Sequence, residues 1–393
     1  MRWASVVSER EVSSEAISES IDSVRRALGG EEPDLLLVYV TPHHAVAYDA
    51  LPVLLRGAFP KARLLGCSGA SVIGDGHEIE GAPALAISAA ILPDVEVIPF
   101  AIEHGVPGIG STGLVSTLRE QIGVDPDLAP ALVVLTDPFT VRADTFGRAL
   151  DEAYPSSAKI GGLASGGVNP GECVLFVDDR TLRTGAVGVA LTGDVEMLTV
   201  VAQGCLPVGA DMRVTQMDGA LVTGLDGMDA FLRLQKAIED LEPSVRMLLT
   251  RGPMIGVAMD PQAAALHRGD YLVRQLVGGD PARGAISIAH PLKLGDVVRL
   301  HVRDAATSTE DLHELLARQA RSGAVAALMF SCVGRGREFH GEPDHDVRAV
   351  RSQLGPIPVG GFFCNGELGP VHGRTFLHSW TSSIGLIRTR EWS

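Results

Sequence analysis

The sequence predicts an α/β protein with mixed rather than purely parallel sheets, on three observations. Short apolar runs such as LLLVYV at Leu35 to Val40 and ALVVLT at Ala131 to Thr136 alternate with stretches of helical spacing. Hairpin-like pieces with glycine turns interrupt that alternation. Strands with one face of small side chains recur, which calls for layers packed closely, sheet on sheet with helices outside.

The elements follow in order. Ser13 or Ser14 is expected to cap a first helix with Ile17, Ile21, Val24 and Leu28 on one side, ended by Gly29 and Gly30. After the strand at Leu35 comes a helical stretch from Ala45 to Ala58, in which Pro52 marks a kink or a restart. LLGCSGASV (Leu64 to Val72) is a strand running into a glycine-rich turn. PALAISAAIL is the next strand, with Ala84, Ala86, Ser88 and Ala90 on its small face.

The same events recur after a loop at Glu103 to Ser111 and a helix near Leu114 to Ile122. ALVVLTDP is a strand, Asp144 to Ala153 a helix, KIGGLASGGV a turn, and GAVGVALTG a strand with Ala186, Gly188 and Ala190 on its small face. Pro42 to Gly66 and Pro138 to Gly162 both span 24 positions, which implies an internal duplication. A meander with turns at PVG (Pro207 to Gly209) and MDG (Met217 to Gly219) ends near Gly224 to Gly227, the expected domain boundary. Asp226 and Asp229 then open a helix.

In the C-terminal half VVRLHVRD puts Val298, Leu300 and Val302 on one face and Arg299, His301 and Arg303 on the other, so this sheet has one polar side. Thr307 and Glu310 form a capping box for the next helix. AVAALMFSC runs into VGRGREF, and Val347, Val350 and Leu354 mark a short helix. PVGGFFCNGELGPV (Pro358 to Val371) follows, then a strand with Ser379, Thr381, Ser383 and Gly385 on its small face.

Composition excludes several function classes. Among 393 residues, 33 Lys and Arg stand against 48 Asp and Glu, a net charge of −15 with no basic block, so neither nucleic acid nor an anionic membrane is an expected partner. The longest nearly apolar run, Ala82 to Pro93, is far below the roughly 20 residues of a membrane helix, and MRWASVVSER lacks a signal-peptide apolar region. A cytoplasmic location follows. Five widely spaced cysteines without a C-x-x-C pair read as free thiols rather than a disulfide framework or a zinc ribbon.

Chemistry is expected where glycine-rich turns end apolar strands, because ligands of α/β sheets bind beyond strand ends. FSCVGRGREF and FFCNGELGP each place a cysteine before such a turn. Arg335 or Arg337 could hold a carboxylate or phosphate, Asn365 offers a donor and an acceptor, and Glu367 could take an ammonium group. The plainer reading makes these glycines simple turns with solvated Arg and Glu. GCSGA lacks the G-x-S-x-G spacing of a hydrolase elbow, and Cys67 reads as a buried space-filler unless a His lies near it. His340, Glu342, Asp344, His345 and Asp346 lack a metal-ligand spacing and read as a solvated loop leading into a helix. No nucleotide-binding motif is present, so neither metal nor cofactor is expected.

LLGCSGA from Leu64, QGCLPVG from Gln203 with VTQMDG, VRD from Val302, FSCVGRG from Phe330, and GFFCNGELGPV with FLHSWTSSI together resemble the N- and C-terminal modules of the FIST family (F-box and intracellular signal transduction), over roughly Leu35 to Ile387. The resemblance implies a sensory, ligand-binding role, with amino acids or related small molecules as proposed ligands, rather than enzymatic activity. Together with the elements above, it gives a leading helix at 1–34, an N-terminal domain of this kind at 35–225 (internally duplicated) and a C-terminal one at 226–393. An F-box needs several helices, more than the leading segment holds, so a sensor of this kind would act through a separate signalling protein. The site residues expected from residue type and this resemblance together are Gly66, Cys67, Ser68, Gly204, Cys205, Arg303, Cys332, Gly334, Arg335, Gly336, Cys364, Asn365, Gly366 and Glu367. Backbone N–H groups and Arg303 or Arg335 would hold an anionic end of the ligand, and Glu367 a cationic end. The alternatives are a Cys-dependent enzyme using Cys67, Cys332 or Cys364, and a protein-interaction scaffold.

Overall fold

Among the described residues, three six-stranded sheets and one seven-stranded sheet organise the chain. The computed structural model describes residues 1–103, 111–250 and 252–390, so most of the loop expected at Glu103 to Ser111 lies outside the described residues. Two compact units divide the chain. Met1–Val201, Leu312–Leu377 and the chain from Thr381 form the first, and Ala202–Asp311 with His378–Trp380 the second. These units are discontinuous, unlike the contiguous division at 225/226 expected from sequence.

Each sheet of the first unit has a parallel strand pair at its centre and an antiparallel strand beside it. Leu35–Val40 and Arg63–Ser68 form the first pair, flanked by Leu85–Ile91. Ala131–Thr136 and Lys159–Leu163 form the second, flanked by Ala186–Gly193. Ala326–Cys332 and Val359–Cys364 form the third, flanked by Thr381–Arg388. Parallel strands need a crossover, and the helices Leu51–Ala58, Ala143–Ala153 and His345–Leu354 lie in the three connections.

The expected duplication is therefore a triplication, with the third copy in the C-terminal half of the chain but inside the first unit. Register aligns the copies. Val38 faces Gly66 and Ile87, Val134 faces Gly161 and Gly188, and Met329 faces Gly361 and Ile384. A Cβ on Gly66, Gly161 or Gly361 would lie 2.1, 1.7 or 1.8 Å from the carbonyl oxygen of its partner, an approach only glycine permits. The equal 24-residue spacing pairs Gly66 with Gly162, whereas the ladder puts Gly161 there, because the second crossover is one residue shorter.

The three sheets share one core. Tyr39, Leu65 and Cys67 come from the first, Leu135, Ile160 and Val187 from the second, and Phe330, Phe362 and Ile387 from the third. On the first sheet's other face, Ser13–Ala27 and Leu51–Ala58 bury Ile17, Val24 and Leu55. On the second's, Ser111–Ile122 and Ala143–Ala153 bury Leu118, Phe146 and Leu150. Each such side chain stabilises the fold by about 1.5–3 kcal/mol. The small faces mark close approach but not one direction: Ala84, Ala86 and Ala90 turn to the shared core, while Ala186 and Ala190 turn outward to the helices.

Local expectations are corrected at four places. The leading segment is not helix alone, because strand Arg2–Ser8 precedes the helix and pairs antiparallel with Leu85–Ile91. Val12, not Ser13 or Ser14, is the N-cap of Ser13–Ala27, and Ser13 Oγ bonds His44 Nδ1 at 3.0 Å instead. Asp304 replaces the Thr307 capping box, its Oδ2 accepting from Thr307 N at 2.8 Å. The PVG turn is an irregularity between Val208 and Met212 inside one long strand, Cys205–Asp218. Pro52 marks a restart, as helix Leu51–Ala58 follows the 3₁₀ turn Pro42–Ala47.

In the second unit Cys205–Asp218, Val297–Arg303, Met254–Ala258, Tyr271–Asp280, Ala285–Ile288 and Leu221–Leu225 pair in that order, with Met228–Asp229 at the end. Cys205–Asp218 also pairs with Leu221–Leu225, which closes the sheet on itself. Val298, Leu300 and Val302 join a core with Leu234, Ala237 and Leu249 of the helices Ala230–Glu239 and Pro243–Leu249. Arg299, His301 and Arg303 take the opposite face, as their alternation predicts. His301 is buried edge-on to Tyr271 at 4.9 Å, and burial pushes its pKa down to about 4.

Candidate functional site

The three strand-end turns of the first unit bond to one another. Ala70 N donates to Ser165 Oγ at 2.8 Å, Ser165 Oγ donates to the carbonyl of Phe363, and Ser165 N donates to Ser68 O at 3.1 Å. Leu163 N reaches Gly366 O at 2.9 Å, and Asn365 N reaches Leu163 O at 3.1 Å. Ser165, from the second repeat, thus ties the first turn to the third. Gly162 is required here as well, since its Cβ would fall 2.3 Å from Cys364 Sγ. Gly69 N and Ala164 N complete the pattern by bonding Val40 O and Thr136 O. These N–H groups are engaged within the protein, so they do not form the open anion cradle expected from the glycine content.

Beside the third turn lies a buried ionic centre. Cys332-Val-Gly-Arg brings Arg335 back under the sheet, where the residue is 1% exposed and grips Asp346 through Nε–Oδ2 at 2.9 Å and Nη2–Oδ1 at 3.1 Å. Arg335 does hold a carboxylate, but an internal one. Asp346 also accepts from His345 Nδ1 at 2.9 Å and from Ser331 Oγ at 3.3 Å. Glu78, from the hairpin strand His77–Glu80, accepts from Val347 N at 2.9 Å and caps the helix that carries Asp346.

The electrostatics follow from burial and neighbours. Against the push of burial, Arg335 and the His345 hydrogen bond hold Asp346 well below the usual carboxylate range. Burial and the nearby Asp346 charge push Glu78 up to about 8. Of these two carboxyls, one is ionised near neutrality. Glu367 is fully buried, its Oε2 accepts from Thr381 N at 3.3 Å, and its Oε1 has no hydrogen-bond partner among the described residues. Burial raises Glu367 well above its ordinary value, opposed by Thr381 N, Arg335 and a hydrogen bond with the Cys332 thiol.

The solvated readings of Arg335 and Glu367 are thereby overturned, as is that of His340, His345 and Asp346. The side chains of His340 and His345 are 2% and 7% exposed, and their rings stack at 3.6 Å and 6°. Burial takes His340 down to about 3. Donor atoms of His340, His345 and Asp346 lie within 4.8 Å of one another. Parallel stacked rings direct their lone pairs side by side rather than onto one ion, and Arg335 already supplies the positive charge.

Of the residues expected at the site, Cys332, Arg335 and Glu367 come together around this centre, and Ser68, Cys364 and Gly366 lie at the bonded turns. Gly66 and Cys67 are buried in the strand behind them, Gly336 is buried beside Glu80, Gly334 is half-buried, and Asn365 is exposed. Gly204, Cys205 and Arg303 belong to the second unit. There Gly204 N donates to Trp380 O at 2.8 Å, Cys205 is the register partner of Arg303, and the Arg303 guanidinium lies 3.8 Å over the Trp380 ring. Sequence reasoning missed Ser165, Glu78 and the pairing of Asp346 with Arg335. Burial pushes the Cys67 and Cys364 thiols well above their ordinary value.

A triplicated strand–helix–strand unit with a buried ionic centre, accompanied by a closed-sheet unit, defines a mixed α/β protein. Residues 34–228 match the FIST N domain and residues 230–370 the FIST C domain. The chain belongs to the FIST family, whose domains are sensory domains of signal transduction. Uncharacterized protein Mb0898c of Mycobacterium bovis is 35% identical over 377 residues, 95% of each chain. Uncharacterized protein Rv0628c of Mycobacterium tuberculosis is 34% identical over 375 residues, 95% of this chain and 96% of its own. A crystal structure of cyanuric acid hydrolase from A. caulinodans spans 99% of this chain and 100% of its own at 9% identity, with a TM-score of 0.39, too low to support any argument. Among the described residues no helix is long and apolar enough to cross a membrane.

Proposed function

We propose that this chain is a non-enzymatic sensory protein that binds a small molecule at the bonded turns of its first unit, with Glu367 as the recognising group. The observation that carries this reading is the Glu367 carboxyl, wholly buried at a strand-end turn with Oε1 unpartnered. A buried acceptor without a partner costs about 1–3 kcal/mol, which a ligand donor would offset. A primary ammonium group, as in an amino acid, fits that requirement. The raised Cys67 and Cys364 thiols weigh against nucleophilic catalysis, which needs a thiolate. A separate signalling protein would read the bound state, and free cysteines suit a reducing cytoplasm.

Thermal-shift screening of amino acids and small amines tests this reading. A ligand at 100-fold its Kd should stabilise the protein by roughly 2.7 kcal/mol. Glu367→Gln should weaken that ligand's shift without abolishing folding. No shift across the library for either protein would refute the assignment.

A further inference from the structure

We propose that Cys332 and Cys364 are a redox pair, converted by a hydroperoxide into a disulfide that joins the two adjoining strand ends beside Glu367. The two cysteines are the last residues of parallel strands Ala326–Cys332 and Val359–Cys364 and are direct register partners. Register partners point to the same face of a sheet. Two residues earlier on that face, Phe330 and Phe362 meet edge to face at 5.8 Å, so side chains of this ladder do converge.

Adjacent strands lie about 4.7–4.9 Å apart, inside the roughly 4.4–6.8 Å Cα range of a disulfide. Side-by-side Cβ atoms at that spacing exceed the mean disulfide value of about 3.8 Å, so the bond forms by pinching the strands and is readily reduced. Pinching is easiest at a ladder's end, and both neighbours beyond it, Val333 and Asn365, are exposed.

Access is also arranged. Cys332 is 7% exposed and the other four cysteines 1% or less, so an oxidant meets Cys332 first. Its thiol is hydrogen-bonded to the Glu367 carboxyl, which holds it at the strand end. The Cys332 sulfur attacks the peroxide, the O–O bond breaks, and the distal oxygen leaves as water after taking up a proton, giving Cys332–SOH. Cys364, held beside that sulfur, then attacks it as its proton passes to the departing hydroxide, so the S–O bond breaks, a second water leaves, and no free Cys364 thiolate has to form. Two thiols and one hydrogen peroxide give one disulfide and two waters.

The test treats the full chain with a small excess of hydrogen peroxide, quenches with N-ethylmaleimide, and maps peptides by mass without reduction. The expected product is a Cys332–Cys364 linked peptide that dithiothreitol reverses. Cys67→Ser should leave it intact, and Cys364→Ser should instead accumulate a dimedone-reactive sulfenic acid at Cys332. If Cys364→Ser fails to fold, the wild-type peptide map decides alone. A link through Cys67 or Cys173, a sulfinate at Cys332 as the end product, no oxidation, or linkage only in urea would each overturn the proposal. The mass readout is independent of whether any small ligand binds.

Discussion

Substituting Glu78 by Gln isolates one term of the buried ionic centre. Glu78 is 7% exposed, and its carboxyl titrates near 8 instead of its ordinary 4.5. The folded state therefore holds a proton that the unfolded chain has already lost, so stability falls as pH rises from 4.5 to 8 and levels off above. His340 works in the opposite sense, adding stability as pH rises from about 3 to 6.5. From pH 6.5 to 8 Glu78 acts alone of the two, and one proton over that interval amounts to about 2 kcal/mol. Gln keeps the acceptor for Val347 N and places no charge beside Asp346. Urea unfolding at half-unit steps should show the parent losing about 2 kcal/mol more than the variant across this interval. The variant should be the more stable protein at pH 8, and whatever loss it shares with the parent belongs to Glu367, which burial raises in both. Equal losses in both proteins, or a less stable variant at pH 8, would refute the assignment of Glu78 as the buried protonated carboxyl.

Two further substitutions probe the same unit. Arg335→Ala leaves Asp346 buried and unpaired and should cost about 3–5 kcal/mol in urea unfolding, whereas Arg335→Met with Asp346→Leu should recover most of that loss. Ser165→Ala strands Ala70 N and the Phe363 carbonyl, and should cost about 2–4 kcal/mol with faster amide exchange at Ala70.

The repeated strands were legible because their signal is local: six apolar residues in a row, or two alternating faces, need no knowledge of what lies opposite. Arg2–Ser8 was missed for the converse reason. RWASVVS has weak alternation and becomes a strand by pairing with Leu85–Ile91. The site was legible only in outline. Glycine-rich turns ending strands do meet, but their N–H groups go to each other, because glycine content reports backbone freedom and not what the backbone bonds. Arg335 and Glu367 stood out by residue type. Their partners did not, since Glu78 reaches Val347 across 269 positions and Ser165 reaches Phe363 across 198. Nor does spacing in sequence reveal that His340 and His345 stack, because the turn at Gly341 sets their geometry.

The third sheet of the first unit has a consequence for synthesis. Hairpin Ser71–Glu80 pairs there with Val359–Cys364, through Val72 with Phe362 and Ile73 with Gly361. A ribosome making this chain releases the first two repeats long before the strands that close their shared core. Leu65, Leu135 and Ile160 must wait, exposed, through translation of more than a hundred residues that fold elsewhere. The first part of the chain to emerge is thus among the last to be sheltered, and the sequence up to Val201 should depend on chaperones when translated alone.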